Sequence, residues 1–543
     1  MLASPAVSTR PKKTTGLRYW MLRVLEECDK VSADFSSDPV HDLRVSLRRC
    51  RSLADGLMAL DPHPDWKAMK KAGKRLFQRL GDLRDIHVME EWVRKLEKIY
   101  VERAPSPALP AEQQNTQPTS DETAQAADAP AETLLKLLKA REDEQKREAR
   151  AALEEFDRKQ WRRWSKSLPA RASRIRSGSP LFKHLALERW TEARALHTRA
   201  LRNRSQTAFH SLRIGIKRFR YIVENFLPAE HRAWSGDLKE MQDLLGEVHD
   251  LDVLWSTANS CHVFPDEHSR QRWRERILSQ RSKCIDRYRA KMVGENSLWE
   301  VWRAALPQGR QIQELASRRM KFWANHLDPD FAHSERVASL ALQLYDGLLA
   351  TAWQPAVDAL SARSSLLAAA LLHEVGRFKG EKNHHKKSLK LLKAHGNPLG
   401  WKPADFHRAA IVARFHRGAL PTRRHRLLRD LLPDEQKATI QLAAILRLSN
   451  ALDAAHDGHI RRIQIENVPV NDDRNRRKRA AGFLLKPPTL NRNEPLIIAA
   501  EGYAPLGRSA QTIAAERYLL ETVLHRPVIV KLLKNSTRNA TKS

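Results

Sequence analysis

Two stretches of this sequence are near copies of each other, and they limit the fold more than any other feature. His41-Asp-Leu-Arg44-Val-Ser-Leu-Arg48-Arg49-Cys-Arg51 is echoed by His210-Ser-Leu-Arg213-Ile-Gly-Ile-Lys217-Arg218-Phe-Arg220. Wound as helices at about 100° per residue, Leu43, Leu47, Cys50 and Leu53 fall on one face of the first copy. Leu212, Ile216, Phe219 and Ile222 fall on the matching face of the second. The opposite faces carry His41, Arg44, Arg48 and Arg51, and His210, Arg213, Lys217 and Arg220. Each copy is thus an amphipathic helix with a cationic stripe led by histidine. Cations at helical-neighbour spacing repel one another. A single stripe reads first as a solvated charged face, whereas two in register favour a bound polyanion. The echo continues. Leu80-Gly81-Asp82-Leu83-Arg84-Asp85-Ile86-His87 follows the first stripe, and Leu245-Gly246-Glu247-Val248-His249-Asp250-Leu251-Asp252 follows the second. Lys74 and Lys239 precede the two glycines at equal distance. Such repetition predicts two similar helical units packed about a pseudo-two-fold axis.

The pattern H-x-x-R-x-x-x-K/R-x-x-R followed by L-G-x-x-x-D resembles the CHAD domain (conserved histidine α-helical domain) in both halves, over roughly residues 15–305. The resemblance implies an all-helical fold with a basic central cavity that binds inorganic polyphosphate. On this reading His41, Arg44, Arg48, Arg51, Lys74, His210, Arg213, Lys217, Arg220 and Lys239 line one cavity.

The charge balance agrees with an anionic partner. Lys plus Arg number 96 against 64 Asp plus Glu, a formal net charge of +32. Inorganic polyphosphate, other polyanions, nucleic acid or a membrane surface would each answer that excess. Aromatic residues make up 6% of the chain, which argues against base-stacking platforms. The four cysteines, Cys28, Cys50, Cys261 and Cys284, form no CxxC pair and no zinc spacing, as expected in a reducing cytoplasm. The first ten residues lack an apolar signal-peptide core, and no apolar run reaches the length of a membrane span.

The expected organisation is a mainly α chain. Residues 1–15 read as a disordered basic tail, 16–305 as the duplicated helical bundle, and 310–458 as a second, all-α domain. A small α+β cap over 459–533 and a basic tail over 534–543 complete it. Within the first domain, residues 104–131 contain Pro, Gln, Thr, Ala, Asp and Glu with no lysine, arginine or aromatic, and read as a disordered linker. Breaks are expected at Asp61-Pro62-His63-Pro64 and Ser177-Gly178-Ser179-Pro180, and the domain boundary at Leu306-Pro307-Gln308-Gly309.

The second domain carries histidines within apolar helical patterns. Ser364-Ser365 is expected to cap a buried helix ending in Leu372-His373-Glu374-Val375-Gly376. Around it stand Ala332-His333, Asn383-His384-His385, Phe415-His416 and Leu452-Asp453. Imidazoles and carboxylates at helix ends are ligands suited to a divalent cation. H-E-x-x-H is ruled out because its last position is Arg377. The constellation resembles the HD domain, and more closely the helical C-terminal region of exopolyphosphatase/guanosine pentaphosphate phosphohydrolase proteins. The resemblance implies His333, His373, Glu374, His385, His416 and Asp453 as metal ligands for Mn or Mg, with His384 and His425 as surface or hydrogen-bonded residues. Glu374 departs from the aspartate of an HD site, and its extra methylene moves the carboxylate by about 1 Å, which leads us to expect a weak or silent centre. Period-two alternation predicts strands at Ile460–Asn467, Gly482–Leu485 and Leu496–Ala500 in a small antiparallel sheet, a helix over Ser509–Leu524, and a last strand at Val528–Val530. The Gly-rich phosphate loops that the exopolyphosphatase family carries at its N-terminal end are absent from this sequence.

Three functions remain open at this level: a polyphosphate-binding protein linked to polyphosphate granules or metabolism, an HD-type metal-dependent phosphohydrolase acting on polyphosphate or guanosine penta/tetraphosphate, and a general nucleic-acid binder. The chain reads as a bacterial-type protein without a membrane span, with a homodimer left open.

Overall fold

The computed structural model describes residues 16–101, 120–351, 353–466 and 494–533. The chain divides between Gln308 and Gly309, inside the expected boundary, into two units. Unit 1 is built of α1 (Leu17–Ala33), α2 (Ser37–Met58), α3 (Pro64–Ala72), α4 (Lys74–Val101), α5 (Ser120–Glu154), α6 (Arg158–Ala172), α7 (Pro180–Asn203), α8 (Gln206–Phe226), α9 (Pro228–Ser260), α10 (Glu267–Met292) and α11 (Leu298–Ala304). The cationic stripes lie on α2 and α8, and the L-G-x-x-x-D segments lie within α4 and α9. Leu43, Leu47 and Cys50 of α2 are fully buried, as are Leu212, Ile216 and Phe219 of α8. Ser205 caps α8 by accepting a hydrogen bond from the Ala208 amide at 3.2 Å. The breaks fall where proline requires them, with Pro64 opening α3 and Pro180 opening α7.

The two repeats meet directly: α2 packs on α8 and α4 on α9. Arg49 of α2 pairs with Glu224 of α8 at 2.5 Å, and the Asn225 amide donates to the Ser52 hydroxyl at 3.1 Å. Gly56 of α2 sits against the Phe226 ring so closely that a Cβ would collide with it.

The expected disordered segment 104–131 is corrected in part. Residues 102–119 lie outside the described residues, but α5 begins at Ser120. Residues 120–129 are mostly Ala, Glu, Gln and Asp, and the first three are good helix formers. They lead into Ala131, Leu134 and Leu138, which are buried against Met89, Trp92 and Val93 of α4. Pro130 is accommodated inside this helix. The terminal segments 1–15 and 534–543, and the strand expected at Gly482–Leu485, also lie outside the described residues.

Unit 2 comprises α12 (Arg310–Leu327), α13 (Phe331–Ala350), α14 (Ala359–Leu372), a 3-10 turn over Val375–Lys379, α15 (His384–His395), α16 (Pro403–Arg414), α17 (Pro433–Leu452), β1 (Ile463–Glu466), β2 (Leu496–Ala500), α18 (Arg508–Leu524) and β3 (Val528–Leu532). The cap of α14 is Asp358, whose carboxylate accepts from the Ser361 amide at 2.9 Å. Ser365 instead lies buried inside the helix, its hydroxyl donating to the Asp405 carbonyl at 3.0 Å. The helix starts earlier than expected because Asp358 is itself a strong cap and Ala359-Leu-Ser-Ala extends the helical run. The core is rich in alanine: Ala368, Ala369, Ala409, Ala410, Ala413 and Ala444 are all buried. Small side chains let α14, α16 and α17 approach closely, because interaxial distance follows contact-residue size. The sheet is mixed rather than antiparallel. β1 pairs antiparallel with β2 (Ile463 opposite Ala500), whereas β2 pairs parallel with β3 (Leu496 opposite Val528). The intervening α18 is the crossover that a parallel pair needs. Among the described residues no helix is long and apolar enough to cross a membrane.

Gly56→Ala should destabilise unit 1 by about 1–3 kcal/mol, the usual cost of overpacking. A lowered thermal midpoint with native helix content would show it; an unchanged midpoint would contradict the close crossing of α2 and α8.

Candidate functional site

In unit 1 the arginines of the two stripes are seated differently. The Arg44 guanidinium donates from Nη1 to the Phe77 carbonyl at 3.2 Å and lies so near Gly81 that a Cβ there would clash with it. Arg44 and Arg51 also sit over the Phe77 ring, 5.0 and 5.1 Å from its centroid. The glycine of the first L-G segment is therefore the seat of the first arginine. Gly246, its counterpart, has nothing within 4 Å of where a Cβ would stand. It opens instead onto a cavity of about 350 Å³ lined by Arg213, Lys217, Gln242, Asp243, Glu247 and Asp250. A second cavity of about 270 Å³ shares Asp243 and Glu247 and adds Lys239 and Arg287.

Charges from both repeats act on one another here. Burial, then Arg213, Arg48 and Arg44, push the Lys217 ammonium down to about 8. His41 is lowered by burial and then by Arg84 and Arg48. Burial raises Asp250 to about 6 against the pull of Arg213, with Asp85 and Glu247 adding to the rise. Arg44 and Arg48 of α2, Arg84 and Asp85 of α4, Arg213 and Lys217 of α8 and Asp250 of α9 thus share one electrostatic field.

The expected single basic cavity is corrected on two counts. Its lining is mixed, because α9 contributes carboxylates beside the cations. The third cation of each stripe is also turned to protein partners: Arg51 donates to the Lys70 carbonyl at 2.9 Å, and Arg220 faces Glu224 at 3.8 Å. Lys239 reaches only the smaller cavity, and Lys74 is exposed at the first position of α4. His210 lies with its Nδ1 3.3 Å from Nδ1 of His249, whose pKa is lowered to about 4 by burial and then by Arg213. Arg84, Asp85, His249 and Asp250 were missed as site residues, although the repeated L-G-x-x-x-D segments contain all four.

In unit 2 helix ends converge. His333 is the third residue of α13, His373 follows α14, His384 opens α15, and His416 lies two residues past α16. His373, His384 and His416 each place Nδ1 on a backbone carbonyl: Ala370 at 2.7 Å, Glu381 at 3.0 Å and Ala413 at 2.7 Å. Nδ1 of His333 meets the Asp453 carboxylate at 2.8 Å. Carbonyls and carboxylates only accept, so Nδ1 carries the proton in each ring and Nε2 is left to face the cluster. Nε2 of His384 and of His416 are 3.1 Å apart. Glu374 Oε1 lies 3.4, 3.5 and 3.8 Å from Nε2 of His384, His416 and His373. Glu374 Oε2 is buried without a hydrogen-bond partner. Burial alone would raise the Glu374 pKa, but His384 and His416 outweigh it and hold the carboxyl well below the usual range. Facing Glu374 likewise raises His384 against its burial.

Two groups emerge in which the ligand atoms all lie within 4.8 Å of one another: His333, His373 and Glu374, and Glu374, His384 and His416. The orphaned carboxylate oxygen and the inward Nε2 atoms fit a cation. Imidazole with carboxylate suits a transition ion such as Mn²⁺ or Zn²⁺ better than Mg²⁺. The extra methylene of Glu374 does not take its carboxylate out of the cluster.

Two of the expected ligands are corrected. His385 is outside both groups, its ring centroid 6.3 Å from that of His416, and burial followed by Arg414 lowers its pKa to about 4. His384, expected at the surface, takes its place. The signal was in the helix periodicity: His384, Ser388 and Leu392 recur every fourth residue and form the buried face of α15. Asp453 is buried but holds His333 and Arg336 (2.9 Å to Nε), so it positions a ligand rather than joining the group. Asn450 was missed; its carboxamide lies 3.0 and 3.3 Å from Nε2 of His333 and His373. Gly376 allows this packing, because a Cβ there would strike the His384 carbonyl.

Residues 21–259 match the CHAD domain family, and residues 317–497 match Ppx/GppA phosphatase, domain III. Among solved structures, the crystal structure of the CHAD domain from the plant Ricinus communis is 19% identical, over 54% of this chain and 90% of that one, with a TM-score of 0.33. No curated protein matches the chain. The two family matches fall one in each unit and support a polyphosphate-related role. The chain therefore joins a CHAD domain in unit 1 to a Ppx/GppA phosphatase domain III in unit 2.

Proposed function

We propose that unit 1 binds inorganic polyphosphate where its two repeats meet, and that this binding ties the chain to polyphosphate granules or polyphosphate metabolism. The observation that carries this reading is Lys217, whose ammonium is pushed down to about 8 by burial and by three arginines from both repeats. A cluster of cations at that mutual cost is relieved by a polyanion. The arginines offer bidentate donors to phosphate oxygens and Lys217 a point charge. No aromatic residue lines either cavity, which favours polyphosphate over nucleic-acid bases.

A second reading is supported by the orphaned Glu374 oxygen: unit 2 holds a divalent cation and acts as a phosphohydrolase on polyphosphate or guanosine penta/tetraphosphate. Glu374, His384 and His416 would hold the cation, with His373 and His333 beside them. The chemistry such a cation supplies is polarisation of phosphoryl oxygens and activation of water.

Replacing Arg44 and Arg213 together by glutamate should abolish retention on polyphosphate with helix content unchanged; undiminished binding would contradict the reading. The parent affinity should fall with salt at a log–log slope of about −3, for four or five contacts at about −0.7 each. At physiological salt, DNA or RNA of matched charge should compete poorly, and equal displacement would favour a nucleic-acid binder.

Affinity should also depend on pH. Asp250 is ionised above about 6 and Lys217 is charged below about 8, so lowering the pH from 9 to 5 adds positive charge at both steps. Polyphosphate affinity should rise several-fold on that descent, and Asp250→Asn should remove the lower step; a flat profile in the parent would count against this field.

For unit 2, metal uptake should be lost in His384→Ala and kept in His385→Ala. The reverse pattern would restore the ligand set expected from sequence.

A further inference from the structure

We propose that Asn450 closes one half of the unit 2 histidine cluster, so that the chain holds a single divalent cation, between Glu374, His384 and His416. This inference rests on the metal-centre reading above. The cluster offers two corners that share Glu374, and they differ in one respect. At the first, Nε2 of His333 and of His373 already face a group of the protein, the Asn450 carboxamide at 3.0 and 3.3 Å. Both rings have their Nδ1 proton committed, His333 to Asp453 at 2.8 Å and His373 to the Ala370 carbonyl at 2.7 Å. In a neutral ring Nε2 then carries a lone pair, and a lone pair needs a donor. The Asn450 NH₂ group has two hydrogens and lies against two such nitrogens, so one amide serves both rings. A cation bound at about 2.0–2.2 Å would need the same two lone pairs, and enters only if the amide leaves.

The first corner also lacks a free carboxylate beyond Glu374. Both Asp453 oxygens are in use: Oδ2 takes His333 and Arg336 Nε (2.8 and 2.9 Å), and Oδ1 takes the Gly458 amide at 3.0 Å. Arg336 is further fixed to the His456 carbonyl at 3.0 Å. At the second corner Nε2 of His384 and of His416 face each other at 3.1 Å and Glu374 Oε1 at 3.4 and 3.5 Å. The only other oxygen of that carboxylate, Oε2, is buried with no hydrogen bond. Two imidazoles and one carboxylate leave coordination positions open, as a catalytic rather than a structural site does.

The test is Mn²⁺ binding to the full chain, counted by equilibrium dialysis and read by electron paramagnetic resonance. His384→Ala/His416→Ala gives the background from carboxylates elsewhere, to be subtracted. One specific ion with an uncoupled six-line spectrum is expected for the parent. Asn450→Asp, which offers a carboxylate to His333 and His373, should take up a second ion and show an exchange-coupled signal. Circular dichroism checks that each variant is folded, and Asn450→Ala serves if the aspartate does not fold. Two coupled ions in the parent would overturn the closure by Asn450 while leaving the metal reading intact. One ion in both the parent and the folded Asn450 variants would overturn the role given to Asn450. No specific ion in the parent would overturn the metal reading itself.

Discussion

Like charges crowded into one region set the terms for unit 1. Arg44 and Arg48 come from α2, Arg84 from α4, and Arg213 and Lys217 from α8, and burial removes part of the water that would screen them. Several features hold them there. The Phe77 carbonyl and ring, together with bare Gly81, seat Arg44. Asp85 and Asp250, equivalent in the two repeats, supply opposite charge to Arg44 and Arg213. The Arg49–Glu224 pair and the Gly56–Phe226 contact lock α2 to α8. The cost of holding like charges together is recovered only if something anionic binds, which makes the fold and the proposed function two sides of one electrostatic arrangement.

Unit 2 depends on a different constraint, close helix packing. Alanines along α14, α16 and α17 bring helix ends together, and the ends carry histidines whose Nδ1 atoms are spoken for by their own last carbonyls. Arg447 helps fix one of these ends: it pairs with Glu516 of α18 at 2.6 Å and donates to the Phe415 carbonyl at 3.0 Å, one residue before His416. The rings are oriented by backbone, so their outer nitrogens point where the fold sends them. That is the order expected of a metal centre, in which second partners decide which nitrogen is available.

Much of this was legible in the sequence, because helical periodicity and duplication are local signals. They placed the stripes, the breaks and the boundary near Gly309. What they could not carry was tertiary. Gly81 and Gly246 are the same letter in the same motif, yet one lies under a guanidinium and the other opens a cavity. Arg51 and Arg220 belong to the stripes by spacing, but partners elsewhere in the fold, the Lys70 carbonyl and Glu224, claim them. His384 and His385 differ by a single turn angle, and the burial of Ser388 and Leu392 decides between them. The sheet came out mixed because α18 separates its last two strands, a consequence of topology rather than of strand pattern.

The most direct measurement is the titration of Lys217 itself, followed by NMR of its side-chain amine in the free chain and with saturating polyphosphate. In the free chain the ammonium should titrate near 8. Bound polyphosphate should restore a value above 10, since phosphate oxygens favour the charged form against burial and the neighbouring arginines. A Lys217 that titrates at the same pH with and without bound polyphosphate would contradict the account, because the polyanion would then be held somewhere other than where the two repeats meet.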